Sequence, residues 1–203
     1  MAAAPHDRGG RVRSVRLPLF FLSMLAVLAL VLSGNYWREI KVRQRFLMSA
    51  QEMALTSRLQ SYQRLVEVLN ENLFTQPDVG ALLAEADRAD EAQKNRLRER
   101  LYHRFYPTYR NLKRNDFRAL QFVLADGRSF LRFNLPEIHG DPIARHRPIL
   151  QRALTDGSPN PALETGGIYP GYRFAYPIRH QGQVVGAVDF CLSFEAILQS
   201  LSR

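Results

Sequence analysis

Apolar residues follow three different spacings along the chain, and each spacing predicts a different kind of element. The first is an uncharged run from Leu17 to Leu32, preceded by four arginines between Arg8 and Arg16. With its flanking residues this run approaches the roughly 20 residues that a helix needs to cross a bilayer. We therefore expect a basic tail over residues 1–16 and a transmembrane anchor over residues 17–36.

The residues on either side of this run indicate whether it is cleaved and how it is oriented in the membrane. A cleaved signal peptide has a shorter apolar stretch that ends in small residues. Val31-Leu-Ser33 before Gly34 is a poor cleavage site, so an uncleaved anchor is favoured over a cleaved signal. Arginines beside a span tend to stay in the cytoplasm. The chain after about Tyr36 is therefore expected to be exported.

The second spacing is a heptad-like seam in a segment without glycine or proline, from Trp37 to about Phe74. The seam residues follow one another by three or four positions: Leu55, Leu59, Tyr62, Val66, Leu69 and Leu73. Residues 37–75 are therefore predicted as one long helix, part stalk and part domain helix. Such a helix spans well over about 50 Å. Part of it is expected to form a homodimer, and the alternative is that the whole seam packs on its own domain, which is favoured from Leu65 to Leu73.

The third spacing, of period two, alternates with helical segments over residues 76–203. Val79 to Asp90 and Glu91 to Tyr106 are predicted helices, and Pro107 is expected to end the second one. Gln121 to Phe133 is a predicted hairpin around a tight Asp-Gly turn.

Shorter elements follow the hairpin. The expected series is a loop over Asn134 to Pro142, a short helix over Ile143 to Leu154, a loop over Thr155 to Gly171, strands over Tyr172 to Ile178 and Gln183 to Leu192, and a helix from Ser193. The predicted fold class is α+β, with an N-terminal transmembrane helix, a long helical stalk and then an antiparallel sheet of about five strands with flanking helices.

Charge and cysteine content exclude several classes of site. Between Lys94 and Arg118, nine lysines or arginines are interleaved with aromatic residues. Such a mixture can bind nucleic acid, but an exported domain rarely meets any. A solvated basic helix is therefore expected, with contact to anionic lipid head groups as the alternative. The single Cys191 excludes an internal disulfide, and without a Cys or His cluster neither a metal nor another cofactor is expected.

Short motifs occur in a definite order in the second half of the chain. They are Gly127-Arg-Ser-Phe-Leu-Arg-Phe-Asn-Leu-Pro136, Gly140-Asp141, Arg147-Pro148, Glu164-Thr-Gly166, Tyr172-Arg-Phe-Ala-Tyr-Pro-Ile178 and Gly186-Ala-Val-Asp189. In this order they resemble the double-Cache-like extracytoplasmic sensor domains of bacterial signal-transduction receptors, over about Gln51 to Arg203. The resemblance implies a PAS-like antiparallel sheet flanked by a long N-terminal helix, with a small-ligand pocket between the sheet and the loops on one face. From the arginine-flanked span, the domain is expected in the periplasm on a single-pass inner-membrane anchor.

The resemblance also implies which positions line the pocket. They are Arg132, Asn134, Asp141, Arg147, Glu164, Arg173, Tyr176 and Asp189. Asn134 and Pro142 stand where relatives often have a histidine and a second acidic residue. The resemblance therefore does not identify the ligand of this chain. From the residues alone, arginines on or beside apolar strands need a negative partner. That partner is either an anionic ligand, which the arginine fork suits, or the carboxylates of this chain, or the arginines face water at an edge.

These observations favour a membrane-anchored sensory domain that binds a small ligand, an organic carboxylate or an amino acid, for signal transduction. Acid–base catalysis by the acidic residues is not favoured, because the sequence has no nucleophile elbow or phosphate-binding loop. No output module precedes Arg203, so we expect either a truncated receptor or a separate kinase or cyclase partner. The alternative function is a non-signalling periplasmic assembly protein that uses the long helix as its partner contact.

Overall fold

The computed structural model describes residues 10–158, 160–164 and 171–201. The chain divides into two compact units, Met1–Met53 and Ala54–Arg203. Helix α1, Gly10–Leu69, contributes to both. The helical segment Leu19–Phe74 is long and apolar enough, by length and composition, to cross a membrane, and its apolar stretch is not buried.

The second unit is built on an antiparallel sheet that has five strands within the described residues, in the order β2-β1-β5-β4-β3. The strands are β1 (Phe117–Leu124), β2 (Ser129–Arg132), β3 (Asn160–Glu164), β4 (Gly171–His180) and β5 (Gln183–Ser193). Glycines with left-handed backbone, Gly127 and Gly182, form the β1–β2 and β4–β5 turns. The predicted α+β fold with a sheet of about five strands is confirmed.

Helices cover both faces of this sheet. After α1 come a π-helical turn (Asn70–Phe74), α2 (Pro77–Arg88), α3 (Glu91–Arg114), a 3-10 turn (Ile143–His146), α4 (Pro148–Thr155) and α5 (Phe194–Leu201). Asp90 caps α3, because its carboxylate accepts a hydrogen bond from the Gln93 N–H at 2.7 Å.

The two faces of the sheet differ in the size of the side chains that they bury. One face, with α2, α3 and the last turns of α1, forms a large aromatic core in which Phe74 contacts the rings of Phe122 and Phe190. The other face is covered by α4 through a smaller cluster that includes Ile149 and Ala175. Successive strand residues point to opposite faces. The smaller side chains under α4 leave this second face with room for polar groups.

Three expected element boundaries were wrong, and the first concerns Pro107. Pro107 lies inside α3 rather than at its end. The helix continues because Tyr109 and Leu112 are buried in the aromatic core. Burying two such side chains contributes roughly 2 kcal/mol each, which offsets the cost of about 3 kcal/mol for a proline inside a helix.

The second boundary concerns the loop expected over Thr155 to Gly171, which contains strand β3. This strand carries Pro161 and lies at the edge of the sheet, where a proline is tolerated because one side of the strand makes no ladder hydrogen bonds. The third concerns the short helix expected from Ile143, which is split at Arg147. Arg147 precedes a proline and has φ −134° and ψ 88°, as the steric restriction before proline requires. This split brings the Arg147 side chain to the sheet.

Candidate ligand-binding site

Strand register places a row of polar side chains on the face that α4 covers. Gln121 of β1 pairs with Arg132 of β2 on one side and with Asp189 of β5 on the other. Arg173 of β4 lies one pair further along the same face, opposite Cys191. All four polar side chains of this set are buried, so they need partners inside the protein or in a bound molecule.

A cavity of about 280 Å³ lies over this row. It is lined by Ala119, Gln121, Arg132, Asn134, Asp141, Pro142, Ile143, His146, Arg147 and Arg173. The strands form its floor, and the segment between β2 and α4 forms its wall. Its volume lies near the lower end of the range of small-molecule sites, about 300 Å³ and upward.

The floor of the cavity holds a buried ionic cluster centred on one oxygen atom. Arg147 Nη1 and Arg173 Nη1 donate hydrogen bonds to Asp189 Oδ2 at 3.0 Å and 2.9 Å. Gln121 Nε2 donates to the same oxygen at 2.5 Å. Asp189 is fully buried, and a guanidinium taken out of water needs such a carboxylate. Two arginines therefore share the Asp189 carboxylate.

Arg132 forms a second ion pair, which holds the wall of the cavity. Its Nη2 donates to Asp141 Oδ2 at 2.7 Å and its Nη1 donates to the Ile138 carbonyl oxygen at 2.8 Å. The Asp141 carbonyl oxygen in turn accepts from the Ser129 N–H at 2.9 Å. The hydrogen bond from Arg132 lowers the pKa of Asp141 below its ordinary value. Asp141 is therefore held as an anion in the cavity wall.

Glu164 connects the edge strand β3 to the first turn of α4. Its Oε1 accepts a hydrogen bond from the Ile149 N–H at 3.0 Å, as a carboxylate at a helix N-terminus does. Burial raises the pKa of Glu164, and the neighbouring Asp189 charge adds to that rise. Among the described residues, Glu164 is not part of the cavity lining.

The structure brings most of the predicted site residues together. Five of them line the cavity: Arg132, Asn134, Asp141, Arg147 and Arg173. Asp189 lies beneath the lining and Glu164 beside α4. Tyr176 lies on the opposite face, where its ring contacts Phe190 in the aromatic core at 6.2 Å between centroids. Burial raises the pKa of its hydroxyl. The structure therefore does not bring Tyr176 to the cavity.

Sequence reasoning missed five lining residues, which are Ala119, Gln121, Pro142, Ile143 and His146. A signal was present for Gln121, because it is a polar residue in the otherwise apolar run Gln121-Phe-Val-Leu124. A buried amide in a central strand needs hydrogen-bond partners on its own face. No comparable pattern marks Ile143 or His146. Both lie in the segment between β2 and α4 that forms the cavity wall, and the fold of this segment brings them to the cavity.

Residues 51–203 match the protein family described as "Double sensory domain of two-component sensor kinase". The chain belongs to this family. It is a Cache-type extracytoplasmic sensory domain, so the resemblance of the motifs is confirmed. Domains of this type bind ligands and are not enzymes. The comparison with curated proteins gives no match.

Solved structures show the same fold at low sequence identity. The V. cholerae histidine kinase DctB sensor domain is 16% identical with a TM-score of 0.58, and the match covers 79% of this chain and 58% of that one. For the sensory domain of the Campylobacter jejuni chemoreceptor Tlp3 (CcmL) with isoleucine bound, the identity is 14%, the TM-score 0.52 and the coverage 77% and 60%. For the Tlp3 ligand-binding domain in complex with L-valine, the identity is 12% and the TM-score 0.51, and the match covers 77% of this chain and 61% of that one. This chain thus spans about three fifths of the length of these domains.

Proposed function

We propose that the second unit is the ligand-binding part of a membrane-anchored periplasmic sensor, and that its cavity binds a small molecule with a carboxylate group, an organic acid or an amino acid. The observation that carries this proposal is the sharing of Asp189 by two buried arginines beside the cavity. Both guanidinium groups line the cavity, whereas Asp189 lies beneath the lining, so the surface of the cavity favours an anionic group in the adjoining space.

Arg147 is the residue that we expect to bind the ligand carboxylate. In the described part of the chain its side chain makes one hydrogen bond, from Nη1 to Asp189, while it also lines the cavity. A guanidinium has further N–H donors in a planar fork that matches a carboxylate. Arg147 therefore has donors for a ligand, whereas Arg132 already uses both of its terminal nitrogens on the cavity wall.

The opposite side of the cavity suits an amino acid. Asp141 lines the cavity, and a carboxylate in the lining can accept a hydrogen bond from a ligand ammonium group. The apolar lining by Ala119, Pro142 and Ile143 suits a short aliphatic side chain. The Tlp3 domain was solved with isoleucine and with L-valine, which supports these amino acids as first probes.

The test is binding to the full chain in detergent micelles, measured by thermal shift and by calorimetry. The probes are aliphatic carboxylates and L-amino acids. A ligand present at about 100 times its Kd adds about 2.7 kcal/mol of stability. We expect Arg147→Ala to remove most of this effect. The matched control is Arg145→Ala, an exposed arginine in the 3-10 turn that ends just before Arg147. The proposal would be contradicted if none of the probes bound, or if the Arg147→Ala variant bound them as well as wild type.

Anchoring and self-association complete the proposal. Residues 17–36 would span the inner membrane with residues 1–16 in the cytoplasm, and residues 37–75 would be stalk and domain helix before the sensor of residues 76–203. Val42, Phe46 and Met53 are exposed at spacings of four and seven on α1, and this stripe suits a homodimer contact. A cytosolic C-terminal reporter fusion would contradict this topology. Loss of cross-linking in Phe46→Glu, with Arg45→Glu as the control, would support the dimer.

Signal output is the remaining part of the proposal. The matching family is described for two-component sensor kinases, which supports a kinase as the output module, in a longer form of the chain or as a separate partner, with a cyclase as the alternative. Co-purification of such a partner with the full chain, and a change in its activity on ligand addition, would test this.

A further inference from the structure

Ala119 is the one apolar residue that the strands contribute to the described cavity lining, beside Gln121, Arg132 and Arg173. It is buried and lies on β1 two residues before Gln121, so both side chains point to the same face of the sheet. Atoms added to the side chain at position 119 would therefore enter the cavity and not the aromatic core on the other face.

A β-bulge turns a large side chain away from this end of the cavity. The pairing of β1 with β5 shifts between Phe117 and Ala119, which makes Arg118 an extra residue on β1. In a regular strand, Phe117 and Ala119 would point to the same face. With the bulge, the Phe117 ring lies in the aromatic core, with its centroid 6.4 Å from those of Phe174 and Phe190. The bulge therefore leaves the floor beside Ala119 to a ligand.

The strand ladder also determines how far Ala119 lies from the arginines. Ala119 and Arg173 both pair with Cys191 of β5, Ala119 from the β1 side and Arg173 from the β4 side. Neighbouring strands lie about 4.8 Å apart, so the backbones at these two positions are separated by about 10 Å across the floor. A ligand of amino-acid size whose carboxylate is bound at the arginines can therefore extend its carbon chain toward Ala119.

From this placement we infer that Ala119 determines the size of the aliphatic group that the cavity accepts, and that the site prefers a branched chain to a single methyl group. This inference rests on the proposed function, since it concerns the same cavity. A larger apolar group gains affinity as it leaves water and fills the space beside Ala119, Pro142 and Ile143. A larger side chain at position 119 would occupy that space in place of the ligand.

Three variants separate the size of the floor from the stability of the fold. Ala119→Val adds bulk to the cavity and suits a strand, because β-branched residues are favoured there. Ala119→Gly removes the Cβ and enlarges the floor. The control is Ala187→Val, the same change at a buried position in the smaller cluster under α4, outside the described lining. Each variant can lower the fraction of folded protein, which changes the number of binding sites but not the ratio of two affinities.

The experiment measures calorimetric affinities of the full chain in detergent micelles for two pairs of probes, L-alanine with L-isoleucine and acetate with 3-methylbutanoate. The members of each pair differ in the size of the aliphatic group. Wild type should prefer the larger member of each pair that binds. Ala119→Val should reduce this preference at least about tenfold, since one methylene group changes binding in an apolar pocket by about 10- to 200-fold. Ala119→Gly should keep or increase the preference, and Ala187→Val should leave it unchanged.

The outcomes separate the inference from the proposed function. Equal affinity of wild type for both members, or preference for the smaller one, contradicts the inference. So does a ratio that is the same in wild type and Ala119→Val, or one that falls as much in Ala187→Val, although carboxylate binding would then still stand. Failure of wild type to bind any of the four probes contradicts the proposed function, and the inference with it.

Discussion

Asp189→Asn is the sharpest test of how the ionic cluster contributes to folding. The substitution keeps the size of the side chain and one acceptor oxygen but removes the charge that Arg147 and Arg173 share. Hydrogen bonds to a charged partner contribute about 1.5–3 kcal/mol and neutral ones about 0.5–1.5 kcal/mol. Each of the two arginine bonds therefore weakens by about 1 kcal/mol, and the variant should lose about 2 kcal/mol of unfolding free energy.

This loss is measurable and compatible with a folded protein. Removing a partner of a buried ion pair completely costs about 3–5 kcal/mol, which is the upper limit here. For a domain of this size, about 2–4 °C of Tm correspond to 1 kcal/mol, so a decrease of about 4–8 °C is expected. Far-UV circular dichroism with urea or heat is the assay. The single Trp37 lies in the first unit, so tryptophan fluorescence does not report on the sensor.

The control is the same chemical change at the protein surface. Asp126 lies 3.4 Å from Arg128, and both side chains are about half exposed. Asp126→Asn should therefore change stability by less than about 0.5 kcal/mol. In addition, Arg147→Ala should cost less in the Asp189→Asn background than in wild type, because the charge that it compensates is gone. An Asp189→Asn variant as stable as wild type would refute the reasoning.

Three further predictions concern the helix, the sheet and pH. Pro107→Ala should raise the Tm, because alanine restores an N–H donor inside α3; a lower Tm would show that the ring itself packs. Gly186→Ala should cost about 1–3 kcal/mol in urea, since the new Cβ would overlap the Val123 carbonyl oxygen, and an unchanged midpoint would contradict this. The pKa of Glu164 is raised above its ordinary 4.5, so the ionised carboxylate weakens folding as pH rises. Glu164→Gln, which keeps the acceptor for Ile149, should be more stable than wild type at pH 7 and lose that advantage below pH 4.5; a constant difference across this range would argue against the shift.

Local signals were sufficient for much of the fold. The β1–β2 and β4–β5 hairpins follow from alternating apolar residues around turns that contain Gly127 and Gly182, because both signals act over a few neighbouring residues. The end of α3 and the edge strand β3 could not be predicted in this way. Both depend on burial or pairing with residues distant in sequence, which outweighs the local preference of proline.

The charged residues of the candidate site were predictable, but their pairing was not. Arginines between apolar strand residues pointed to buried charge, yet which carboxylate each one meets depends on strand register and on the break at Arg147. The placement of Tyr176 could have been anticipated. It follows Arg173 by three positions in the same strand, and residues three apart in a strand lie on opposite faces.

The division of the sheet into an aromatic face and a polar face has a consequence for how such sensors diversify. The phenylalanines that hold α2 and α3 lie on one face, whereas the residues that surround the cavity lie on the other or in its wall. Substitutions among the residues that surround the cavity can therefore change the preferred ligand during evolution or engineering while the aromatic core keeps its packing.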